Sequence, residues 1–556
     1  MTKLRVASLT VILFLVSVAA SPRPAQLDFL VDASTHFIRV PLDSSAPSQG
    51  SIFLAATLYQ PRFFPAAPAA IYIHGWGGRR LTGTDNLAYK IAAAGYVVLS
   101  YTARGFGAGE SGGQVSLAGP NEINDLEEII DWLIDDPDGV IGPRVSKIGV
   151  VGASYGGGHG FQIATDPRVA AVCALVGWTD LEQSLYPNGV INYKLGLAEF
   201  YGGLERDHSS PPFYNYSQLQ FDMFDAAAEG RAYPDQVKRK LSNRSIARRD
   251  ENARESLIET RKPKAPIFII QSWDDYLFPA TQVMDVYEQI DSPKQIYLGR
   301  SGHPPGGHAY EGEEIYFGVQ VIRWFDHFLR GIGGKDSRTV ASAPSPFRNT
   351  LYNIHSLPSP AVEMTSYYLK PNGKLLTKKK KKKAGRDTAG GTFQRQRIRS
   401  SQLGAEIPSQ ADMFSATVEG IPSVPSQLVY TLAPWAADTE IFGSSEMSFY
   451  LSSDTSPDID IIVRSYDVGQ DGTETEVTVG VMRVSGLQAG EIRKVTFRDF
   501  GDHWIFRRGN RLRIKISNID FPDFRPPGTN DDQPSTITLH YGADFPSVIR
   551  LPVLRR

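Results

Sequence analysis

Cysteine is almost absent from this chain. Cys173 is the only cysteine among 556 residues, so no disulfide can form within the chain and no cysteine-based metal site can be built. It lies in an apolar run, residues 169–176, where a buried and inert thiol is expected. Thiol catalysis is therefore excluded.

The chain also lacks an excess of charge of either sign. Its 58 basic and 60 acidic residues give a formal net charge of −2, and 41% of the residues are hydrophobic. This balance is typical of a soluble globular protein and gives no indication of nucleic-acid binding. One local exception is the run of six lysines from Lys378 to Lys383. We expect a solvated loop there, and binding to an anionic surface is the alternative.

The N-terminus has the pattern of a secretory signal. Lys3 and Arg5 precede a mostly apolar run from Val6 to Ala20, and Ser21 follows it. A basic region, an apolar region and small residues at a cleavage site mark exported proteins, and about 15 residues are few for a membrane span. We expect residues 1–20 to be removed and the protein to be secreted or periplasmic. An uncleaved anchor or a buried helix is the alternative.

The rest of the chain is predicted to form two domains. After short strands and turns over residues 21–68, apolar runs and helical repeats alternate, which favours a parallel α/β sheet. Runs that predict strands are 71–73, 96–101, 148–151, 169–176, 266–270 and 295–298, and helical spacing covers 122–134 and 314–330. Residues 180–264 show little strand pattern and predict a helical cap over the site.

The composition changes near Gly331, where serine, proline and glycine become more frequent and helical periodicity stops. Short β-rich runs bounded by turn residues, such as 447–451, 459–463 and 511–516, continue to the C-terminus and predict a β-sandwich or jelly roll. We therefore place an α/β domain at 21–335, a linker at 336–360 and a β jelly-roll domain at 361–556.

The chemistry is predicted at Ser154. It stands in Gly152-Ala153-Ser154-Tyr155-Gly156, a G-x-S-x-G sequence at the end of an apolar run. This is the pattern of a nucleophile elbow, in which small residues on both sides of the serine allow a sharp strand-to-helix turn. The turn exposes the hydroxyl and directs the amide of Tyr155 at any oxyanion that forms there. The alternative is a glycine-rich turn that contains a serine by chance.

A serine nucleophile needs a base that accepts its proton and an acid that orients the base. In α/β-hydrolases the acid and then the histidine follow the serine along the chain. Asp274 and Asp275 follow one predicted strand end, and His303 and His308 follow the next. The pattern itself leaves either aspartate as the acid and either histidine as the base.

This ordered set of motifs resembles the X-Pro dipeptidyl-peptidase and cocaine-esterase family of serine hydrolases. The similar stretches are the elbow, the Arg104-Gly105 loop, the acid loop at 271–276, and residues 299–303, 323–331, 442–443 and 509–513. The resemblance implies an α/β-hydrolase domain with a helical cap and a C-terminal jelly roll. It also implies hydrolysis of a small ester or amide, or a short peptide, through an acyl-enzyme and without a cofactor.

By this resemblance Ser154 would be the nucleophile, His303 the base and Asp275 the acid. Several relatives place a tyrosine hydroxyl in the oxyanion hole, and here Trp76 stands in that place. The resemblance thus implies Trp76 as an oxyanion donor beside the amide of Tyr155, through either its backbone N–H or its indole N–H.

The sequence departs from the family pattern in several places. Thr102 stands where an aspartate often precedes the Arg-Gly loop. Ser272 replaces a glycine before the acid, and Arg300 and Ser301 replace a Pro-Trp pair before the histidine.

The type of hydrolase stays open between an esterase or acylase and an X-Pro dipeptidyl-peptidase. A dipeptidyl-peptidase has to bind a free ammonium group, and Glu199, Glu205, Asp207 and Asp222 of the predicted cap are candidates. A non-catalytic binding protein on a hydrolase scaffold is an alternative of another class. The sequence also leaves homo-oligomerisation open.

Overall fold

The computed structural model describes residues 30–63, 67–141, 145, 147–193, 214–249, 256–258, 261–303, 312–334, 339–346, 351–370, 373–377, 385–392, 427–453, 455–520, 523–528 and 534–555. The predicted signal and the lysine run lie outside these residues. None of the helices within them combines the length and the hydropathy that a membrane crossing requires.

Strands and helices alternate through the first part of the chain. The strands are β1 (Val31–Pro41), β2 (Ser51–Pro61), β3 (Ala69–Ile73), β4 (Val97–Tyr101), β5 (Ile148–Ala153), β6 (Val169–Leu175), β7 (Ile191–Asn192), β8 (Ala247–Arg249), β9 (Ser256–Ile258), β10 (Ile267–Ser272), β11 (Lys294–Gly299), β12 (Val340–Ser342) and β13 (Tyr352–Asn353). The α-helices are α1 (Leu87–Ala93), α2 (Pro120–Asp135), α3 (Tyr155–Ile163), α4 (Leu181–Leu185), α5 (Gln218–Ala228), α6 (Asp235–Ser242), α7 (Ala280–Val286) and α8 (Glu313–Phe325). Short 3₁₀ turns cover Pro47–Gln49, Pro187–Gly189 and Tyr287–Gln289, and a π-helical turn at Asp326–Arg330 follows α8.

Ten of these strands form one sheet in the order β1-β2-β4-β3-β5-β6-β10-β11-β12-β13. Strands β4 to β12 along this order are parallel, whereas β1, β2 and β13 are antiparallel to their neighbours. Because their residues face helices on both sides, the central strands are continuous apolar runs. Helices α2 and α3 pack on one face, and α1 and α8 pack on the other. This is the predicted α/β-hydrolase architecture, and Cys173 lies buried within it.

The sheet differs from the prediction at both ends. Residues 31–61 form one long hairpin with eleven paired positions instead of several short strands. Strand β1 lies at the edge and most of its residues are solvent-exposed, so its sequence lacks a clear apolar pattern. At the other end, β12 and β13 come from the segment predicted as a linker and extend the same sheet. They have only three and two residues, too few to show a period.

Between β6 and β10, the described part of the cap contains the helices α4, α5 and α6, the short strand β7 and an antiparallel pair of short strands, β8 and β9. The cap is therefore not purely helical as predicted. The difference arises because these strands have only two or three residues and show no period. Strand β7 of the cap pairs antiparallel with a short strand near the C-terminus, which joins the cap to the second domain.

The second domain is built from strands. They are β14 (Val362–Lys370), β15 (Lys374–Leu376), β16 (Gly385–Thr392), β17 (Leu428–Thr431), β18 (Thr439–Gly443), β19 (Glu446–Ser452), β20 (Ile459–Val468), β21 (Glu474–Val484), β22 (Arg493–Arg498), β23 (Asp502–Phe506), β24 (Arg511–Ser517), β25 (Phe524–Arg525), β26 (Pro534–Tyr541) and β27 (Val548–Leu554). Thirteen of them form one hydrogen-bonded network, which is antiparallel except where β15 meets β17. Alternate residues enclose a separate apolar core, as the sandwich prediction requires.

Candidate active site

Strand β5 ends in a sharp turn at Ser154. The serine has φ 57° and ψ −113°, a strained conformation for a residue with a Cβ, and helix α3 begins directly after it. A Cβ on Gly152 would lie 2.5 Å from the carbonyl oxygen of Gly156, and a Cβ on Gly156 would collide with the carbonyl of Ile73. The two glycines therefore permit the turn that lifts the serine above the sheet.

Three side chains named from the sequence are brought together at this edge. Ser154 Oγ lies 2.8 Å from Nε2 of His303, and Nδ1 of His303 lies 2.9 Å from Oδ2 of Asp275. The Asp275 side chain is fully buried and the His303 side chain is 8% exposed. The ring of Phe278 meets the His303 ring edge-on at 5.0 Å, so packing as well as hydrogen bonding holds the imidazole.

Backbone hydrogen bonds fix the Asp275 carboxyl group. Its Oδ1 accepts from the amides of Leu277 at 2.9 Å and Phe278 at 2.8 Å, which leaves Oδ2 for His303. An ionised carboxylate only accepts, so Nδ1 of the histidine is the donor. A neutral ring then has no proton on Nε2 and can accept from the Ser154 hydroxyl. This is the tautomer that a serine nucleophile requires.

The other candidates from the sequence lie elsewhere. Asp274 Oδ1 accepts from Nη1 of Arg300 at 2.8 Å. His159 lies buried in α3, where its Nδ1 is 2.8 Å from the carbonyl oxygen of Tyr155. His308 lies outside the described residues.

The segment after β3 passes beside the serine. A Cβ on Gly75 would lie 3.6 Å from Cβ of Ser154. The indole of Trp76 is stacked on the ring of Tyr216, with 6.0 Å between centroids and 13° between planes, and meets Phe106 edge-on. The Trp76 side chain is thus part of an aromatic wall, while the backbone of the preceding residue, Gly75, runs next to the nucleophile.

His74, for which the sequence gives no functional signal, holds this segment in place. Burial lowers the pKa of His74 to about 4, so the ring is neutral at neutral pH. Nδ1 donates to the carbonyl oxygen of Gly75 at 2.6 Å, and Nε2 accepts from the amide of Ala103 at 3.0 Å. A protonated ring could not accept from Ala103, so the neutral form ties the loops after β3 and β4 together.

A cavity of about 90 Å³ opens at Ser154 and His303, between the elbow and the cap. Its walls are mainly apolar, with Trp178 and Phe278 from the sheet side and Met223 and Phe224 from α5. Among the described residues that line it, none is an aspartate or a glutamate. One water needs roughly 10–15 Å³ measured in this way, so the cavity accepts a group of a few carbon atoms or one small ring.

Two family models match the chain. The model for X-Pro dipeptidyl-peptidase (S15 family) matches residues 50–305, and the model for the X-Pro dipeptidyl-peptidase C-terminal non-catalytic domain matches residues 345–550. Together they cover most of the chain, which belongs to the X-Pro dipeptidyl-peptidase (S15) family. The match to a peptidase model favours a serine hydrolase over the non-catalytic alternative.

Solved structures share the whole two-domain fold at low sequence identity. An aminopeptidase from a marine sediment Thaumarchaeota archaeon has a TM-score of 0.72 at 14% identity, with 96% of this chain and 98% of that chain covered. An alpha-amino acid ester hydrolase has a TM-score of 0.70 at 16% identity, with 96% of this chain and 99% of that chain covered. A CocE/NonD family hydrolase from Staphylococcus aureus has a TM-score of 0.67 at 15% identity, with 93% of each chain covered. At these identities the likeness concerns the fold.

One curated relative matches over part of its length. The quorum-quenching protein AidA of Acinetobacter baumannii (strain MDR-ZJ06) is 31% identical over 167 residues, which are 29% of this chain and 52% of that protein. The chain thus spans about half the length of this relative.

The departures from the family pattern have structural roles in this family member. Ser272 Oγ accepts from the amide of Gly302 at 2.8 Å and from the amide of Asp274 at 3.2 Å. The serine side chain, which the family's glycine lacks, therefore connects the acid loop and the histidine loop. Arg300, in place of proline, contacts Asp274 and also Asp502 of the second domain at 2.6 Å. Asp502 has no signal in the sequence, because it is 202 residues away and belongs to another domain.

Proposed function

We propose that this chain is an esterase or acylase in which Ser154 is the nucleophile, His303 the general base and Asp275 the acid that orients it. The observation that carries the proposal is the 2.8 Å separation of Ser154 Oγ from His303 Nε2 at the mouth of an apolar cavity. A nucleophile and a base at this distance, with the base held by a third group, support acyl transfer.

In the proposed reaction, Ser154 Oγ attacks the carbonyl carbon of the substrate while its proton passes to Nε2 of His303. The tetrahedral intermediate collapses, and the leaving alcohol or amine takes that proton from Nε2. Water then attacks the acyl-enzyme, giving its proton to Nε2, and the acid product leaves as Ser154 regains a proton. Asp275 stabilises the imidazolium form at both stages.

The oxyanion of each intermediate would be bound by backbone amides. Tyr155 is the first residue of α3, so its amide stands next to Ser154 at the positive end of the helix. We propose the amide of Trp76 as the second donor, because the backbone at Gly75 passes close to Ser154 and the Trp76 ring is packed against Tyr216 and Phe106.

The walls of the cavity support a small, uncharged acyl group. An ammonium group placed among Trp178, Met223 and Phe224 would lose its hydration without a counter-charge from the described lining residues. Of the cap carboxylates considered as its partner, Asp222 accepts from Gln218 at an exposed position, and Glu199, Glu205 and Asp207 lie outside the described residues.

The test is a paired assay of the purified enzyme with p-nitrophenyl butyrate and Gly-Pro-p-nitroanilide. We expect ester turnover with kcat/KM at least about 10²-fold higher than for the anilide, since burial of an unpaired ammonium costs several kcal/mol and each 1.36 kcal/mol is a factor of ten. The amide is also the harder substrate, because its amine leaves only after protonation by the histidine. Both activities should fall on the order of 10³-fold or more in Ser154→Ala.

X-Pro dipeptidyl-peptidase activity is the second candidate, and the description of the matching family model favours it. Efficient release from Gly-Pro-p-nitroanilide that is lost when the substrate amine is acetylated would demonstrate a bound ammonium group and overturn the esterase proposal.

We further propose that the protein is exported with residues 1–20 as the signal, on the strength of the basic and apolar pattern before Ser21. N-terminal sequencing of protein from the culture medium or periplasm should begin near Ser21. An intact Met1 in the membrane fraction would contradict export as a cleaved protein.

A further inference from the structure

Arg300 occupies a buried position between the two domains. Its side chain is 3% exposed. Nη1 donates to Oδ1 of Asp274 at 2.8 Å, and Nη2 donates to Oδ1 of Asp502 and to the carbonyl oxygen of His503, both at 2.6 Å. One guanidinium thus joins a loop of the hydrolase domain to the first two residues of β23.

The two residues that the hydrolase domain contributes to this contact, Asp274 and Arg300, are close to the triad in the sequence. Asp274 is the residue before Asp275, and Arg300 is three residues before His303. The amide of Arg300 also donates to Oε1 of Glu313 at 2.8 Å, which fixes the backbone at the start of the histidine loop. A shift of Arg300 would therefore move the acid loop and the base loop together.

The C-terminal side of the contact is held firmly. Oδ1 of Asp502 also accepts from the amide of His503 at 2.6 Å. The His503 ring lies between Ser342 Oγ and Glu440 Oε1, 2.7 Å from each. The ring of Trp504 lies 6.0 Å from the guanidinium carbon of Arg300. The acceptors of Arg300 consequently belong to a packed and hydrogen-bonded region.

Stability alone is a weak explanation for this cluster. A buried ion pair contributes little net stability, because removing both charges from water offsets much of their attraction. A planar guanidinium that binds three acceptors does, however, fix the relative positions of those acceptors. Here it fixes the acid loop, which carries Asp275, relative to the second domain, while Arg300 itself belongs to the loop that carries His303.

We propose that Arg300 is a positioning residue through which the C-terminal domain holds Asp275 and His303 in line with Ser154. This inference rests on the triad proposed above. It gives the second domain a part in catalysis although none of its described residues lines the cavity at Ser154.

The test compares Arg300→Lys and Asp502→Asn in the full-length enzyme with the ester substrate. Lysine keeps the charge but cannot donate in the fork geometry, and asparagine keeps the acceptor oxygen but not the charge. We expect each change to lower kcat by about 10- to 10²-fold, the usual effect of a displacement near 1 Å, with KM nearly unchanged. The double variant should have a kcat only a little below that of the less active single variant, since both substitutions disturb the same Arg300–Asp502 contact.

Arg483→Lys is the matched control. Arg483 makes a two-point contact with Asp460 at 2.8 and 3.0 Å, and the two side chains are 7% and 1% exposed, but the pair joins β20 to β21. Outside the second domain, Arg483 Nη1 makes a long contact of 3.5 Å with the carbonyl oxygen of Gly230 in the cap. The Arg483→Lys variant should have a lower melting temperature, as Arg300→Lys should, but an unaltered kcat.

The rate of fluorophosphonate labelling at Ser154 separates the possible failures. A slower rate in Arg300→Lys and Asp502→Asn supports the inference. Unchanged labelling and kcat in both variants, with only a lower melting temperature, would make Arg300 a structural ion pair and overturn it. Wild-type enzyme that is active but unlabelled at Ser154 would overturn the triad itself. If Arg300→Lys does not fold, Asp502→Asn decides the question alone.

Discussion

Replacing Ser154 with alanine is expected to lower kcat on the order of 10³-fold or more. The serine hydroxyl is the group that would form the bond to the acyl carbon, and His303 Nε2, 2.8 Å away, would have no proton to accept once the hydroxyl is gone. Residual turnover would come from the oxyanion donors and from substrate binding. The strained turn should persist, because alanine has the same Cβ and the two flanking glycines are unchanged.

The measurement combines steady-state kinetics with labelling by a fluorophosphonate and peptide mapping of the labelled site. Ser342→Ala is a useful control, because Ser342 Oγ also lies 2.7 Å from a histidine nitrogen, Nδ1 of His503, but the residue is fully buried. That variant should keep the label at Ser154. A label on another residue, or undiminished turnover in Ser154→Ala, would remove the proposed nucleophile.

Much of this site could be predicted because it is assembled from strand ends. Strands β5, β10 and β11 are parallel and adjacent or nearly so in the sheet, so the residues that follow them meet at one edge. Each strand is a buried apolar run that the sequence displays directly, and the G-x-S-x-G pattern reflects the close contact of Gly152 with Gly156. Local patterns were therefore sufficient for the central strands of the sheet and for the strand ends that carry the candidate site.

Contacts between distant segments could not be predicted in the same way. The Arg300–Asp502 pair joins residues of different domains, and neither residue belongs to a repeating pattern. The role of His74 depends on complete burial and on the neighbouring Ala103 amide, which a lone histidine in a sequence does not indicate. The lining of the cavity depends on how the cap helices are placed, and helix α5 carries apolar residues on more than one side.

The choice between Asp274 and Asp275 shows the same limit at a single turn. The two residues are neighbours in a loop, so sequence spacing alone assigns both to the end of β10. In the structure one carboxyl group receives the amides of Leu277 and Phe278 and lies 2.9 Å from His303, while the other receives Arg300. The separation arises from the backbone of the turn, which neither side chain encodes.

Asp275→Asn is therefore expected to have the second large effect, a loss of about 10⁴-fold in kcat. The asparagine oxygen can still accept from the amides of Leu277 and Phe278, so the loop should keep its shape. The amide nitrogen would then face Nδ1 of His303 as a donor, which favours the tautomer with the proton on Nε2. In that tautomer the ring cannot accept the proton of Ser154.

Asp274→Asn is the matched control, because it makes the same chemical change one residue away and keeps an oxygen for Nη1 of Arg300. We expect it to lower kcat by less than about tenfold, as a disturbance of position and not of the tautomer. The double variant Asp275→Asn/His303→Ala should be little worse than His303→Ala, because the acid acts only through the base. An inactive Asp274→Asn enzyme beside an active Asp275→Asn enzyme would reverse the assignment of the acid and would require the loop after β10 to adopt another turn during catalysis.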